Sequence, residues 1–189
     1  MPTEILFVHS AGPQSGVQGS APFLKHLRRD LGADYAVSAP KMPAPTKPSY
    51  QSWKRKIAKL LSHENAPSIL VGHSLGGSVL LKYIAEERPD VRARGLFIVS
   101  SPYWGSNNPD FVLAEGFAQS LPKKLKIYFY QSRDDEVINL DHLARYRKAV
   151  PRATVRTIAS GGHTFKAGLP ELVTDIRTLV HAKTRGARS

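Results

Sequence analysis

Ser68-Ile69-Leu70-Val71-Gly72-His73-Ser74-Leu75-Gly76-Gly77 is the stretch that decides the fold. Its first four residues read as a short buried strand, and residues 77–85 have the spacing of an amphipathic helix. Ser74 therefore stands between two glycines at a strand-to-helix corner. Glycines lack the Cβ atoms that would collide in so sharp a turn, and the serine hydroxyl is pushed out beside the first N–H groups of the helix. The pattern predicts a nucleophile, and the alternative is an ordinary Gly-rich turn with a capping serine.

Short apolar runs alternate with helical periods along the rest of the chain, which indicates βα units around a parallel sheet. Helical stripes begin near Phe23, Trp53, Ser74, Leu140 and Pro170. We expect one α/β domain over residues 1–189, with a frayed tail at 183–189. The predicted strands are Ile5–Val8, Tyr35–Ala39, Ile69–Val71, Leu96–Ser100, Ile127–Tyr130 and Val155–Ile158.

Two stretches interrupt this alternation. Residues 40–48 are rich in proline and are predicted to form an extended loop. Residues 102–122 make a long connection at the carboxyl end of a predicted strand, where α/β proteins build pockets. We expect a small cap or pocket wall there, with a short helix over Phe111–Phe117. The alternative is a plain surface helix.

The chain has a strong basic excess, with 27 Lys and Arg against 15 Asp and Glu and a formal net charge of +12. The basic residues are spread over the polar faces of separate predicted helices. No aromatic residues alternate with them, as a surface for stacking nucleobases would require. Nucleic acid is therefore a disfavoured partner, while the positive field would favour anionic substrates.

Several protein classes are disfavoured by composition. Cysteine is absent, which excludes disulfides and thiolate metal sites. The N-terminal residues do not resemble a signal peptide, and no apolar run approaches the length of a membrane span. Neither a dinucleotide fingerprint nor a phosphate-binding loop is present. We expect a cytoplasmic protein with no cofactor, no metal and no membrane span, and its oligomeric state stays open.

A serine nucleophile needs a base, and the base needs a partner that fixes its tautomer. His163 is the predicted base, because it follows two glycines in a loop at the carboxyl end of the last predicted strand. The preceding strand runs into three adjacent carboxylates, Asp134, Asp135 and Glu136. Adjacent carboxylates repel one another unless one is paired. Asp135 is the predicted partner of His163, with Asp134 as the alternative, and the other carboxylates are expected to face water.

The order Ser74, Asp135, His163 is the order found in the α/β-hydrolase fold. On three motifs, 72–77, 132–137 and 161–163, the chain resembles the α/β-hydrolase superfamily, and in particular the small, lid-poor serine hydrolases of the retinoblastoma-binding-protein type. The resemblance implies a three-layer sandwich with about six mainly parallel strands in the order 2-1-3-4-5-6. In that family the acid lies two residues before an apolar position, which matches Asp135 before Val137.

The oxyanion hole is expected to use the N–H of Leu75, directly after the nucleophile, and a second N–H from the loop after the first strand. Relatives often have glycine after the histidine of that loop, whereas this chain has Ser10. The second donor therefore stays open between Ser10 and Ala11. The residues predicted to line the substrate pocket are His9, Tyr103 and Trp104.

Together these features predict a cofactor-free serine hydrolase, carboxylesterase-like, that acts on a small ester, thioester or amide through an acyl-enzyme. The competing hypothesis is a binding protein on a hydrolase scaffold, because a fold does not fix a function and a basic surface suits an acidic partner. The dependence on salt concentration distinguishes the two hypotheses. Binding to nucleic acid weakens steeply with salt, whereas turnover of a neutral ester changes little.

Overall fold

The computed structural model describes residues 2–62, 66–87, 91–105 and 108–186. Its centre is a six-stranded sheet in the order β2-β1-β3-β4-β5-β6, in which all neighbouring strands pair in parallel. The predicted strand order is confirmed, and the strand ends differ from those predicted by one or two residues. The strands are β1 (Thr3–Val8), β2 (Tyr35–Ser38), β3 (Ile69–His73), β4 (Gly95–Val99), β5 (Lys126–Ser132) and β6 (Thr154–Ile158).

Helices cover both faces of the sheet and give three layers. On one face pack α1 and α5, through apolar stripes that include Phe23 and Leu27 from α1 and Leu172 and Ile176 from α5. On the other face pack α2, α3 and α4. The helices are α1 (Ala21–Leu31), α2 (Tyr50–Leu61), α3 (Leu75–Glu87), α4 (Leu140–Ala149) and α5 (Pro170–Gly186).

The central strand and the helix that follows it are the most deeply buried pair. All of β3 is buried, and α3 is buried from Leu75 to Ala85. Residues 75–85 are small or apolar on nearly every side, with Lys82 as the charged exception, and a helix of that kind packs inside a protein. The corner between β3 and α3 is therefore fixed from both sides, and it occupies the middle of the carboxyl edge of the sheet.

The connection between β4 and β5 differs from the prediction. The predicted helix over Phe111–Phe117 is wrong, and the segment instead contains a short 3₁₀ helix at Phe117–Ser120. Phe111 and Leu113 are both buried, and side chains two positions apart face the same way only in extended backbone. Gly116 then adopts a left-handed conformation, with φ of 68°, which prevents a regular helix from running into Phe117. Residues 106 and 107 of this connection lie outside the described residues.

Three further predictions concern membrane spans, metal sites and the C-terminus. In the ranges that the structure describes, no helix is both long and apolar enough to cross a membrane, and no group of three or more His, Asp or Glu side chains is arranged to hold a metal ion. α5 continues to Gly186, inside the stretch predicted to fray, and residues 187–189 lie outside the described residues.

Candidate active site

Ser74 occupies the corner between β3 and α3 in a left-handed backbone conformation, with φ of 52°. A positive φ is uncommon for a residue with a side chain and marks local strain. The strained turn is held in place because the Ser74 N–H donates to the Val99 carbonyl at 2.8 Å. A methyl group at Gly76 would overlap the carbonyl oxygens of Val8 and His9. Glycine is therefore required there, since it lets the first turn of α3 press against the loop after β1.

The structure brings Ser74, His163 and Asp135 into one hydrogen-bonded line. His163 Nε2 lies 3.0 Å from Ser74 Oγ. On the other side of the ring, His163 Nδ1 lies 3.0 Å from Asp135 Oδ2 and 3.1 Å from Oδ1. A carboxylate can only accept, so Nδ1 carries the ring proton and Nε2 is free to accept from the serine hydroxyl. Asp134, the alternative partner, does not occupy this position.

Asp135 is ionised and deeply enclosed, with a side chain only 1% exposed. Burial alone would raise the pKa of its carboxyl, but hydrogen bonds from His163 and from the Ile138 and Val137 N–H groups hold the pKa below its usual value. These two backbone groups donate to Oδ1 at 3.0 and 2.9 Å. The carboxylate is thus fixed in orientation and in charge before any substrate arrives.

The two neighbouring carboxylates hold the backbone of the His163 loop. Asp134 Oδ1 accepts the N–H groups of Gly161 at 3.0 Å and Gly162 at 2.9 Å. Glu136 Oε2 accepts the N–H of His163 itself at 3.1 Å. Both side chains are exposed, as predicted, but they do more than face water. The acidic cluster therefore holds the loop and the ring of His163 together.

His73, the residue before Ser74, lies in a buried polar network that sequence reasoning missed. Its ring is fully enclosed, with 0% exposed. Nε2 is 2.8 Å from the His163 carbonyl oxygen, and Nδ1 is 2.8 Å from Ser20 Oγ. Ser20 Oγ also accepts the Ser10 N–H at 2.8 Å. Burial lowers the pKa of His73 to about 4, against the opposing effect of its bond to the His163 carbonyl.

The candidate oxyanion donors lie on the two segments that Gly76 brings together. Leu75 opens α3, where the first N–H groups have no carbonyl partner within the helix. Across from it, the Ser10 N–H is engaged by Ser20 Oγ, and Ser10 is 6% exposed. Ala11, the next residue, is exposed. Of the two open candidates for the second donor, Ala11 is the one whose N–H is not bonded to Ser20.

The three predicted pocket residues differ in exposure. His9 is 2% exposed and packs edge-on against Phe7, so it offers little surface to a ligand. Tyr103 and Trp104 are half-buried at the carboxyl end of β4. The Tyr103 N–H donates to His142 Nδ1 at 2.9 Å, which joins this loop to the start of α4.

A serine at a strand-to-helix corner, hydrogen-bonded to an imidazole that is bonded in turn to a carboxylate, is the arrangement typical of serine hydrolases with an α/β-hydrolase fold. The Serine hydrolase family model matches residues 14–179. The chain belongs to that family, within the α/β-hydrolase superfamily. No curated protein sequence matches it.

Solved structures support the same fold at low sequence identity. The ydeN gene product of B. subtilis is 18% identical with a TM-score of 0.74, and the match covers 94% of this chain and 98% of that one. A serine hydrolase of the polyaromatic-hydrocarbon-degrading bacterium Cycloclasticus zankles is 13% identical with a TM-score of 0.71, covering 96% and 90%. The esterase domain of a Rhodothermus marinus protein is 16% identical with a TM-score of 0.65, covering 97% and 86%.

Proposed function

We propose that this serine hydrolase is a carboxylic ester hydrolase that works through an acyl-enzyme on Ser74. The observation that carries the proposal is the continuous line of hydrogen bonds from Ser74 Oγ through the His163 ring to Asp135. It supplies a nucleophile, a base and a group that fixes the base, within the range of distances that proton transfer needs. The site needs no cofactor for this chemistry.

In the first half-reaction, Ser74 Oγ attacks the substrate carbonyl carbon while His163 Nε2 takes the hydroxyl proton. Asp135 stabilises the imidazolium that forms, and its lowered pKa means that it stays ionised throughout. The tetrahedral intermediate then collapses. The bond to the leaving alkoxide breaks, His163 Nε2 returns the proton to that oxygen, and an ester forms between the acyl group and Ser74.

In the second half-reaction, water takes the place of the departed alcohol. His163 removes a proton from the water as it attacks the acyl carbon, and then gives that proton back to Ser74 Oγ. The products are a carboxylic acid and the regenerated serine. The substrate that we propose is a small acyl compound, with an ester as the favoured member of this class and a thioester or an amide as the alternatives.

We propose that the N–H groups of Leu75 and Ala11 bind the negatively charged oxygen of both tetrahedral intermediates. Leu75 supplies a free N–H at the start of α3, where the helix dipole also favours negative charge. Ala11 is proposed over Ser10, because the Ser10 N–H already donates to Ser20. Removing one such donor in other enzymes costs about 10²–10³ in kcat.

The test is hydrolysis of p-nitrophenyl esters of graded acyl length, run in parallel with the Ser74→Ala variant. We expect turnover by the native protein and none above background by Ser74→Ala. Equal rates in both proteins would refute the assignment. A parallel salt series bears on the competing binding hypothesis: neutral-ester turnover should change little with salt, whereas steeply salt-dependent retention of nucleic acid without turnover would favour a binding protein.

A further inference from the structure

We infer that His73 is a positioning residue, which sets the distance between Ser74 and His163 by hydrogen bonding to the backbone of the base. The inference rests on the proposed function. It adds a role for a side chain that touches neither the substrate nor the reacting atoms. His73 precedes the nucleophile in the chain, so any shift of its ring relative to the base loop is a shift of Ser74 relative to His163.

The His73 ring bonds two other loops of the site. Nε2 contacts the His163 carbonyl oxygen at 2.8 Å, and Nδ1 contacts Ser20 Oγ at 2.8 Å. Ser20 Oγ in turn lies 2.8 Å from the Ser10 N and 2.9 Å from Ser10 Oγ. One buried ring therefore links the nucleophile corner, the loop of the base and the loop of the proposed oxyanion donor.

The protons in this network can be assigned by elimination. The His163 carbonyl can only accept, so His73 Nε2 carries the ring proton and Nδ1 must accept. The single proton of the Ser20 hydroxyl is then donated to Nδ1. It follows that Ser20 Oγ accepts from Ser10, both from the N–H and from the hydroxyl. Every polar atom of the His73 and Ser20 side chains is satisfied in only this arrangement, which makes the network rigid.

The bond from His73 completes the restraint on the His163 backbone. Glu136 accepts the N–H of His163, and Asp134 accepts the two N–H groups before it. Those contacts hold the loop from its exposed side. His73 holds the carbonyl from the buried side, where the ring of His73 also lies 5.3 Å from the ring of His163. Misplacement of a catalytic group by about 1 Å can cost about 10²-fold in rate.

Two substitutions of His73 each keep one of its two side-chain hydrogen bonds and remove the other. In His73→Gln, the side-chain amide nitrogen can occupy the place of Nε2 and donate to the His163 carbonyl, but the acceptor for Ser20 is lost. In His73→Asn, the shorter side chain can accept from Ser20 but falls short of His163. Both variants are polar, and each keeps one of the two buried hydrogen bonds, so they form a matched pair.

We expect His73→Asn to lower kcat by about 10- to 100-fold with KM within about threefold of the native value. His73→Gln should keep kcat within about fivefold, although both variants lose a similar amount of thermal stability. A purely structural role would lower activity in both by the same factor. Equal kcat values in the two variants, or a native kcat in His73→Asn, would therefore overturn the inference.

A second measurement on the native protein does not depend on turnover. The imidazole ¹H–¹⁵N correlation spectrum should show His73 as the neutral, Nε2-protonated tautomer both at neutral pH and at about pH 5. An Nδ1-protonated tautomer would overturn the inference, even if neither variant folds. If the native protein shows the expected tautomer but hydrolyses no ester, the proposed function fails while the network stands, so the two failures are distinguishable.

Discussion

Asp135→Asn should abolish most of the activity without disturbing the fold. Asp135 Oδ1 accepts the N–H groups of Val137 and Ile138 at 2.9 and 3.0 Å. An asparagine keeps those bonds by leaving its oxygen at this place, which puts its NH₂ group where Oδ2 lies, 3.0 Å from His163 Nδ1. Two donors then face each other. The NH₂ group lies slightly nearer to Nδ1 than the oxygen does, at 3.0 against 3.1 Å, so it favours the tautomer with the proton on Nε2. In that tautomer the imidazole cannot accept from Ser74.

The expected loss is about 10⁴-fold in kcat, or about 5 kcal/mol of transition-state stabilisation, as a reversed tautomer costs in other serine hydrolases. Ester hydrolysis under saturating substrate measures it, and thermal unfolding of the variant checks that the fold is retained. The matched control is Asp134→Asn. Its Oδ1 can still accept from Gly161 and Gly162, so kcat should stay within about fivefold.

The result that would refute this reasoning is a reversed order of the two variants. If Asp134→Asn lost four orders of magnitude while Asp135→Asn stayed active, Asp134 would be the acid. An Asp135→Asn variant with more than about a tenth of the native kcat would show that the tautomer of His163 does not depend on this carboxylate.

Three further predictions concern the framework of the site. Gly76→Ala should lower the free energy of unfolding by about 2 kcal/mol and also lower kcat, because the new methyl group displaces the loop after β1. Chemical denaturation measures the first effect and ester hydrolysis the second. A variant with native stability and native kcat would contradict the close packing at Gly76. Lys82→Met should lower the free energy of unfolding by about 2 kcal/mol in chemical denaturation, since Nζ donates to Glu86 and to the Val112 carbonyl and Lys82 is only 7% exposed. A neutral effect would show that the hydrogen bonds of this lysine contribute nothing. His73→Gln should flatten the pH dependence of the free energy of unfolding. Burial lowers the pKa of His73 from 6.5 in the unfolded chain to about 4 in the folded protein, so between these pH values the unfolded chain binds a proton that the folded protein excludes. As the pH falls through that interval, the native protein should lose about 3 kcal/mol of stability that the variant keeps. Parallel curves for the two proteins would contradict the low pKa.

The strands, the helices and the corner at Ser74 could be predicted from the sequence because they follow from local pattern, whereas the strand order came from the resemblance to the α/β-hydrolase superfamily. Apolar runs of strand length alternate with helical stripes, and Gly72 and Gly76 flank the serine. The proximity of His163 and Asp135 could also be predicted, since each follows a strand and parallel strands end at one edge. These predictions needed only the topology and no detail of side-chain packing.

The segment between β4 and β5 could not be predicted from its pattern. Residues 111–117 were predicted to form a short helix, but Phe111, Leu113 and Phe117 are each buried in the core through a segment that is not helical. Where the chain crosses the end of a packed helix, tertiary contacts decide the backbone and local propensity does not. The left-handed Gly116 is the one local feature that argued against a helix.

The hydrogen-bond network around His73 could not be predicted from the sequence, for a different reason. Ser10, Ser20 and His73 are far apart in the chain, and none has a motif of its own. His73 occupies the variable position of the serine motif, so its type carried no expectation. One feature could have drawn attention to it. A residue at the end of a buried strand, just before the corner that leads into a buried helix, is itself buried, and a buried imidazole needs partners for both nitrogens.

The most direct test of the central claim is covalent labelling by a fluorophosphonate probe, read out by intact mass and by peptide mapping. A serine activated by His163 should take up one probe per chain at Ser74, and labelling should vanish in Ser74→Ala. Because the probe reports activation of the hydroxyl and not the choice of substrate, the result does not depend on finding the right ester. An unlabelled native protein, or a label that persists in Ser74→Ala, would contradict the account.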